Sequence, residues 1–283
     1  MLMAGGLLGF SPLWLVSMAL ALVATGVVAG MLAGMLGVGG GIVIVPVLYH
    51  VFTLMGVDET VRMHVAVSTS LATIVPTSIM SARAHRRRGS LDPAMLARLV
   101  PPVLVGVGLG AVLSGFVSGR VLTAVFATVA LLVALNMAIK RDDVALRDGL
   151  PGPVGTSALG VFIGGLSTLM GIGGGTLSVP ILHALRTPMH VAVGTGAALG
   201  MVISLPGAIA FVINGLGVPH RSPTTIGYVD LLGMALIVPA TLLTTRAGAR
   251  LAHAIDARQL RRLFALFLAL TSARMFYGLL SVA

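Results

Sequence analysis

Two glycine triplets, Gly39-Gly40-Gly41 and Gly173-Gly174-Gly175, stand in matching surroundings. The first lies in Gly37-Val38-Gly39-Gly40-Gly41-Ile42-Val43-Ile44-Val45-Pro46-Val47-Leu48, the second in Gly171-Ile172-Gly173-Gly174-Gly175-Thr176-Leu177-Ser178-Val179-Pro180-Ile181-Leu182. Each interrupts a long apolar stretch. A helix that starts directly after such a triplet offers backbone N–H groups without intrahelical acceptors, together with the positive end of its dipole. That arrangement binds a sulfate-like anion without any charged side chain, and glycine lets the anion approach the backbone closely. The competing use of these glycines is close packing of helices in a bilayer.

Side chains near the triplets extend this chemistry. Thr176 and Ser178 follow the second triplet, where the first has Ile42 and Ile44, so any site is asymmetric. Ser68, Thr69, Ser70 and Thr73 in one segment and Thr195 in another are further hydroxyl donors. A sulfite or sulfonate has only acceptor oxygens to meet them. Interhelical hydrogen bonding is the alternative role for such hydroxyls. His64 and His190 begin matching segments and are candidates for contacting the anion or carrying a proton, although both are expected at helix ends, where interfacial histidines are ordinary. His50 and His183 close the short segments after the triplets. Arg83 and Arg274 fall at membrane depth, where a charge is a functional candidate by default; both are near enough to an end to reach the interface along their apolar stems. Asn136 is the repeat counterpart of Arg274. Asp92 and Asp230 match across the repeat and are expected to cap helices at the membrane edge.

Other chemistries find no residues to carry them. The single Glu, Glu59, lies beside Asp58 in an expected loop. There is no Cys, hence no disulfide or thiolate site. No nucleotide-binding Gly-x-x-x-x-Gly-Lys-Ser/Thr sequence or metal-ligand cluster occurs. The reading is therefore not an enzyme, with no cofactor, no metal and no nucleic-acid partner.

The elements that must hold these residues are membrane helices. Hydrophobic residues make up 57% of the 283 and charged residues 9%, against roughly 25% charged in a soluble domain. Mean hydropathy is +1.06. No Asp, Glu, Lys or Arg occurs from Met1 to Val57, and Arg186 is the only one between Gly149 and His220. The start of the chain lacks the basic region of a signal peptide, so its apolar stretch is read as retained. Helical segments are expected at roughly 12–36, 42–55, 65–82, 94–116 and 121–139, then at 153–170, 176–186, 191–213, 227–245 and 258–280. Spanning takes about 20 apolar residues; the second segment of each half is shorter and suits a half-membrane or re-entrant helix.

The halves match beyond the glycines. His64-Val65-Ala66-Val67-Ser68-Thr69-Ser70 parallels His190-Val191-Ala192-Val193-Gly194-Thr195-Gly196, and Pro76 parallels Pro206. Gly89, Asp92, Pro101, Gly110-Ala111, Arg120, Leu122 and Phe126 recur in order as Gly227, Asp230, Pro239, Gly248-Ala249, Arg258, Leu260 and Phe264. The expected organisation is a first transmembrane repeat at 1–140, a cytoplasmic linker at 141–152 and a second repeat at 153–283. Placing the arginine-rich loop Arg83–Arg88 and the loop after the ninth segment inside leaves only Arg62, Arg120, Arg221 and Arg274 of the basic residues outside, a strong positive-inside bias. The basic loop has a second possible use as an anionic-lipid contact. With five segments per half, the repeats are inverted and both termini are extracytoplasmic. The fold class is thus all-α: a polytopic membrane protein of two inverted five-segment repeats, with broken or re-entrant helices at the triplets. Paired breaks in inverted repeats point to a transporter's midplane site.

The duplicated Gly-x-Gly-Gly-Gly…Val-Pro-x-Leu stretches, the Ala/Thr/Ser-rich segment after each, and the charge-poor layout resemble the TauE/SafE family of sulfite and organosulfonate exporters, over roughly Leu13 to Gly278. The resemblance implies a bacterial inner-membrane transporter of a small anionic sulfur compound such as sulfite, thiosulfate or sulfoacetate, with export favoured over import. Export of an anion is already driven by an inside-negative potential, at about 2.3 kcal/mol per charge per 100 mV. Uniport therefore suffices, in keeping with the lack of an evident buried carboxylate. Import of a sulfur oxyanion such as thiosulfate, which would need a coupled cation or a proton carried by the histidines, stays open as an alternative, as does an anion channel built on the same helix ends. Gly- and Ala-rich faces left over by the repeat suggest a homodimer.

Overall fold

The computed structural model describes residues 11–36, 40–139, 149–219, 224–251 and 257–281. Gly39, both ends of the chain and most of the expected linker lie outside these residues. The helices are α1 (Pro12–Leu36), α2 (Gly41–Leu54), α3 (Glu59–Arg87), α4 (Pro93–Phe116), α5 (Gly119–Ile139), α6 (Pro153–Met170), α7 (Gly174–Ala184), α8 (Met189–Gly215), α9 (Leu231–Leu251) and α10 (Ala257–Ser281), with a hairpin of β1 (Thr225–Ile226) and β2 (Val229–Asp230) before α9. Among the described helices, six are long and apolar enough to cross a membrane, while α2 and α7 are short. The chain is an all-α polytopic membrane protein.

Two boundaries differ from the sequence expectation. The third segment, expected at 65–82, is α3 with 29 residues, about 43 Å of helix. Its charged first turn looked like a loop, yet Asp58 caps it by accepting from the Thr60 N–H at 2.9 Å. The ninth segment was expected from residue 227, but residues 225–230 are hairpin and α9 begins at Leu231. The turn explains this: Gly227 takes a φ of 55°, the positive φ that two-residue hairpin turns need.

The two halves interlock. α1 packs on α9 of the second half, and α4 packs on α6. Glycines set these crossings. A Cβ at Gly30 would lie 2.5 Å from the Thr241 carbonyl, and one at Gly164 would lie 2.1 Å from that of Val103. Small residues four apart thus bring helix backbones together, the usual device in a bilayer. α2 lies on α3 as α7 lies on α8, α3 touches α9 as α8 touches α4, and the pairs α3–α8 and α5–α10 close the set. α3 is central: Met63 and every residue from Val65 to Leu71 are fully or almost fully enclosed. Outward-facing Val105, Leu109 and Val112 on α4 and Leu205, Ile209 and Ile213 on α8 leave an apolar exterior that suits lipid.

Candidate functional site

Both triplets break helices. Gly40 precedes α2 with φ 74°. α6 ends at Met170, and Gly171 at φ 66° closes it, its N–H bonding the Thr168 carbonyl while Ile172 N–H bonds that of Ser167. This pairing uses up terminal carbonyls of α6, and α7 starts afresh at Gly174. The two breaks touch. A Cβ on Gly41 would meet the Gly171 carbonyl at 2.8 Å and Ile172 Cα at 3.0 Å. The first turns of α2 and α7 are fully buried; Val43 and Ile44 N–H bond the Gly40 carbonyl and Thr176 N–H that of Gly173, and the amides ahead of these have no acceptor within the helix.

The N-terminus of α7 is pressed onto α8. A Cβ on Gly174 would lie 2.7 Å from Gly200 N, and one on Gly196 would lie 2.9 Å from Ser178 Oγ and 3.0 Å from Gly175 Cα. Ser178 Oγ donates to the Gly174 carbonyl at 2.5 Å, and Thr176 is buried in the first turn. The triplet glycines therefore serve packing as well as exposing amides.

The hydroxyls divide into two groups. On α3, Ser68 Oγ donates to the Tyr228 carbonyl, Thr69 Oγ1 accepts from Asp230 N–H at 2.8 Å, and Ser70 Oγ donates to the Gly171 carbonyl at 2.7 Å. Thr73 Oγ1 donates to the Ser70 carbonyl. These side chains join α3 to the hairpin and to the second break. By contrast, the hydroxyls of Ser167, Thr195 and Ser204 are buried without a hydrogen-bond partner, and all three residues are 0% exposed. In the chain they stand near residues that touch or close the α6–α7 break: Ser167 four residues before Gly171, Thr195 beside Gly196, Ser204 four residues after Gly200. A buried unpaired hydroxyl costs about 1–3 kcal/mol, and each of these three retains a free donor. Ser167 and Ser204 escaped the sequence reading; no local pattern separates them from the other Ser residues of apolar helices.

The histidines separate as well. His64 is not at an interface: it is buried, stacks on Tyr228 with ring centroids 5.0 Å apart, and places Nε2 3.1 Å from the Ser114 carbonyl. A carbonyl only accepts, so Nε2 carries the proton and Nδ1 is left without a partner. Asn214 Nδ2 donates to the Ala111 carbonyl at 2.8 Å, joining α8 to the same stretch of α4. His190 is exposed in the first turn of α8. His50 and His183 lie in the later turns of α2 and α7, and Arg83 and Arg274 are exposed.

Both aspartates cap helices, but at different depths. Asp92 accepts from Ala94 N–H and Met95 N–H at 2.9 and 3.0 Å near the surface. Asp230 is 3% exposed; one carboxylate oxygen accepts from Gly233 N–H at 2.6 Å and the other from the Thr224 hydroxyl. Asp230 caps α9 as expected, but it is buried in the protein, so the expectation that the chain lacks a buried carboxylate is corrected. The hairpin folds inward onto α3 and carries the residue down. A carboxylate between Tyr228-Val229 and Leu231-Leu232 was the available signal; its likeness to Asp92 concealed it. At the opposite end of α3, a cleft of about 280 Å³ is lined by Ile79, Ala82, Arg83, Arg86, Leu91 and Met201.

Broken helices meeting in the interior of a membrane bundle are a transporter's arrangement, and comparison with known proteins agrees. A family model described as "Sulfite exporter TauE/SafE" matches residues 22–275. The chain belongs to the TauE/SafE family. A relative from Haemophilus influenzae, named "Probable membrane transporter protein", is 32% identical over 253 residues, covering 89% of this chain and 95% of its own length. Relatives likewise named "Probable membrane transporter protein" are 26% identical in Methanocaldococcus jannaschii, over 85% of this chain and 88% of the relative, and 25% identical in Bacillus subtilis, over 90% and 96%. No solved structure matches. This TauE/SafE protein is a multi-pass membrane transporter.

Proposed function

We propose that this transporter exports a small sulfur-containing anion, sulfite or an organosulfonate such as sulfoacetate, across the bacterial inner membrane by alternating access between two inverted halves. The supporting observations are the contact of the two helix breaks in the buried interior and the unpartnered buried hydroxyls of Ser167, Thr195 and Ser204 on the neighbouring helices α6 and α8. The anion sits at the second break, with the first-turn amides of α7 and these hydroxyls as donors. Gly173, Gly174, Gly175 and Thr176 belong to the site; Gly40 and Gly41 form its opposite wall. Ser68, Thr69 and Ser70 act behind it by holding the hairpin and the Gly171 carbonyl in place. The sulfur chemistry and the direction come from the family description.

A thermal-shift series on the purified protein with sulfite, sulfoacetate, thiosulfate, taurine and sulfate tests the reading. A ligand at 100 times its Kd adds about 2.7 kcal/mol of apparent stability, so at least one anion raises the Tm. Ser204→Ala weakens that anion's binding by about tenfold or more, as expected for a hydrogen bond to a charged group. No shift with any of the five, together with unchanged flux in Ser167→Ala, Thr195→Val and Ser204→Ala, would remove the site from the mechanism. Ser and Thr variants are better probes than Gly174→Val, whose side chain would push α7 off α8.

A further inference from the structure

We infer that Asp230 is a proton-binding site whose occupancy controls the hairpin at residues 224–230. Among the described residues, Asp230 is the only fully buried carboxylate, and none of them makes an ion pair with it. Its two oxygens hold Gly233 N–H and the Thr224 hydroxyl. These bonds close the hairpin from both sides: Thr224 lies just before β1, and Gly233 lies in the first turn of α9.

Protonation acts directly on that closure. An ionised carboxylate accepts at both oxygens, whereas a carboxylic acid must also donate, and its hydroxyl oxygen is a poor acceptor. Both donors in place are optimal for the charged form. A proton arriving from water on one carboxylate oxygen therefore weakens one of the two bonds. The titratable groups on the surrounding elements are few. On α3, His64 stacks on Tyr228, itself in the hairpin turn. On α2, Tyr49 faces Arg62 of α3, and His50 follows it. The first turns of α9, Leu231 onward, carry none.

The placement links this proton to the candidate anion site. Thr69 receives Asp230 N–H, and the next residue, Ser70, holds the Gly171 carbonyl of the second break. One turn of α3 therefore fastens both the hairpin and the break. Assigning the proton to transport coupling rests on the transporter reading of the preceding section; the titration itself does not.

The test uses the full-length protein in lipid nanodiscs without any anion substrate. Infrared difference spectra between high and low pH should contain the C=O band of a protonated carboxyl group, and Asp230→Asn should remove it. Hydrogen–deuterium exchange across 224–233, corrected for the intrinsic pH effect, should rise about tenfold or more on acidification, the size expected from losing a hydrogen bond to a charged group. Asp230→Asn should exchange rapidly at every pH. Thr224→Val, which retains the carboxylate, should move the midpoint to higher pH, because losing a donor disfavours the ionised form. A wild-type hairpin indifferent to pH, or an Asp230→Asn protein with the wild-type profile, would overturn the inference. Failure of the anion thermal shift alongside a normal titration would count against the transport site and not against Asp230.

Discussion

The stretch His64–Ser70 with its facing hairpin and the stretch His190–Gly196 with its facing loop are repeat counterparts, yet they are built differently. In the first, Ser68 and Thr69 bond Tyr228 and Asp230, and His64 is buried beneath the hairpin. In the second, Ser68 is replaced by Gly194, whose Cβ position lies 2.0 Å from the Ser90 carbonyl; Ser90 is the counterpart of Tyr228. Thr195, the counterpart of Thr69, is buried with no partner, and Asp92, the counterpart of Asp230, stays near the surface. One end of the molecule is latched by a folded hairpin; beside the other lies the arginine-lined cleft. Similar local sequence thus carries a hydrogen-bonded hairpin at one end and lacks one at the other.

The sharpest way to break this comparison is at paired turn glycines. Gly227 and Gly89 both have positive φ, 55° and 66°. A Cβ on Gly227 would lie 2.1 Å from the Val212 carbonyl, whereas one on Gly89 meets nothing within 4 Å. Gly227→Ala should cost about 3–5 kcal/mol, the left-handed penalty plus overpacking, and Gly89→Ala about 1–2 kcal/mol. Chemical unfolding in detergent measures both; equal losses would mean that the hairpin is not packed as described.

Next come the paired threonines. Thr69→Val leaves Asp230 N–H buried without a partner and should cost about 1–3 kcal/mol. Thr195→Val removes a hydroxyl that bonds nothing and should leave stability unchanged or raise it slightly. A Thr195→Val protein as destabilised as Thr69→Val would erase the asymmetry. The paired caps follow: Asp92→Ala should cost about 1 kcal/mol, and Asp230→Ala more, because two donors in a buried site lose their acceptor. Amide exchange resolved by segment separates the two losses. The smallest effect is expected at the surface pair Glu59–Arg120, 3.1 Å apart and half to one-third exposed. Glu59→Gln should change the Tm by the equivalent of about 0–1 kcal/mol.

Much of the fold was legible because a bilayer imposes a strong pattern. Apolar segment lengths marked the helices, and the triplets marked two places where helices had to stop. The matching order of residues in the two halves is the basis on which a duplication is expected. The sequence is least decisive where one residue type serves two environments. Asp230 was expected at an edge because Asp92 caps a helix there, and both do cap helices; only the inward fold of the hairpin separates them. Ser68, Thr69 and Ser70 were expected to face a ligand, and whether a hydroxyl meets a ligand or a carbonyl depends on the element packed opposite. Ser167 and Ser204 had no signal, since an unpaired hydroxyl is defined entirely by what surrounds it.

The sequence by itself determined that the chain crosses a membrane, that its helices break at two glycine triplets, and that those breaks are related, because hydropathy, glycine runs and repeated order are properties of the chain alone. Tertiary structure decided that the breaks touch, that one connection folds inward as a latch while its counterpart stays out, and that a carboxylate is buried with it. Those outcomes depend on which backbone and side-chain groups face one another across helices distant in sequence, and burial and hydrogen-bond partnership exist only once the helices have packed.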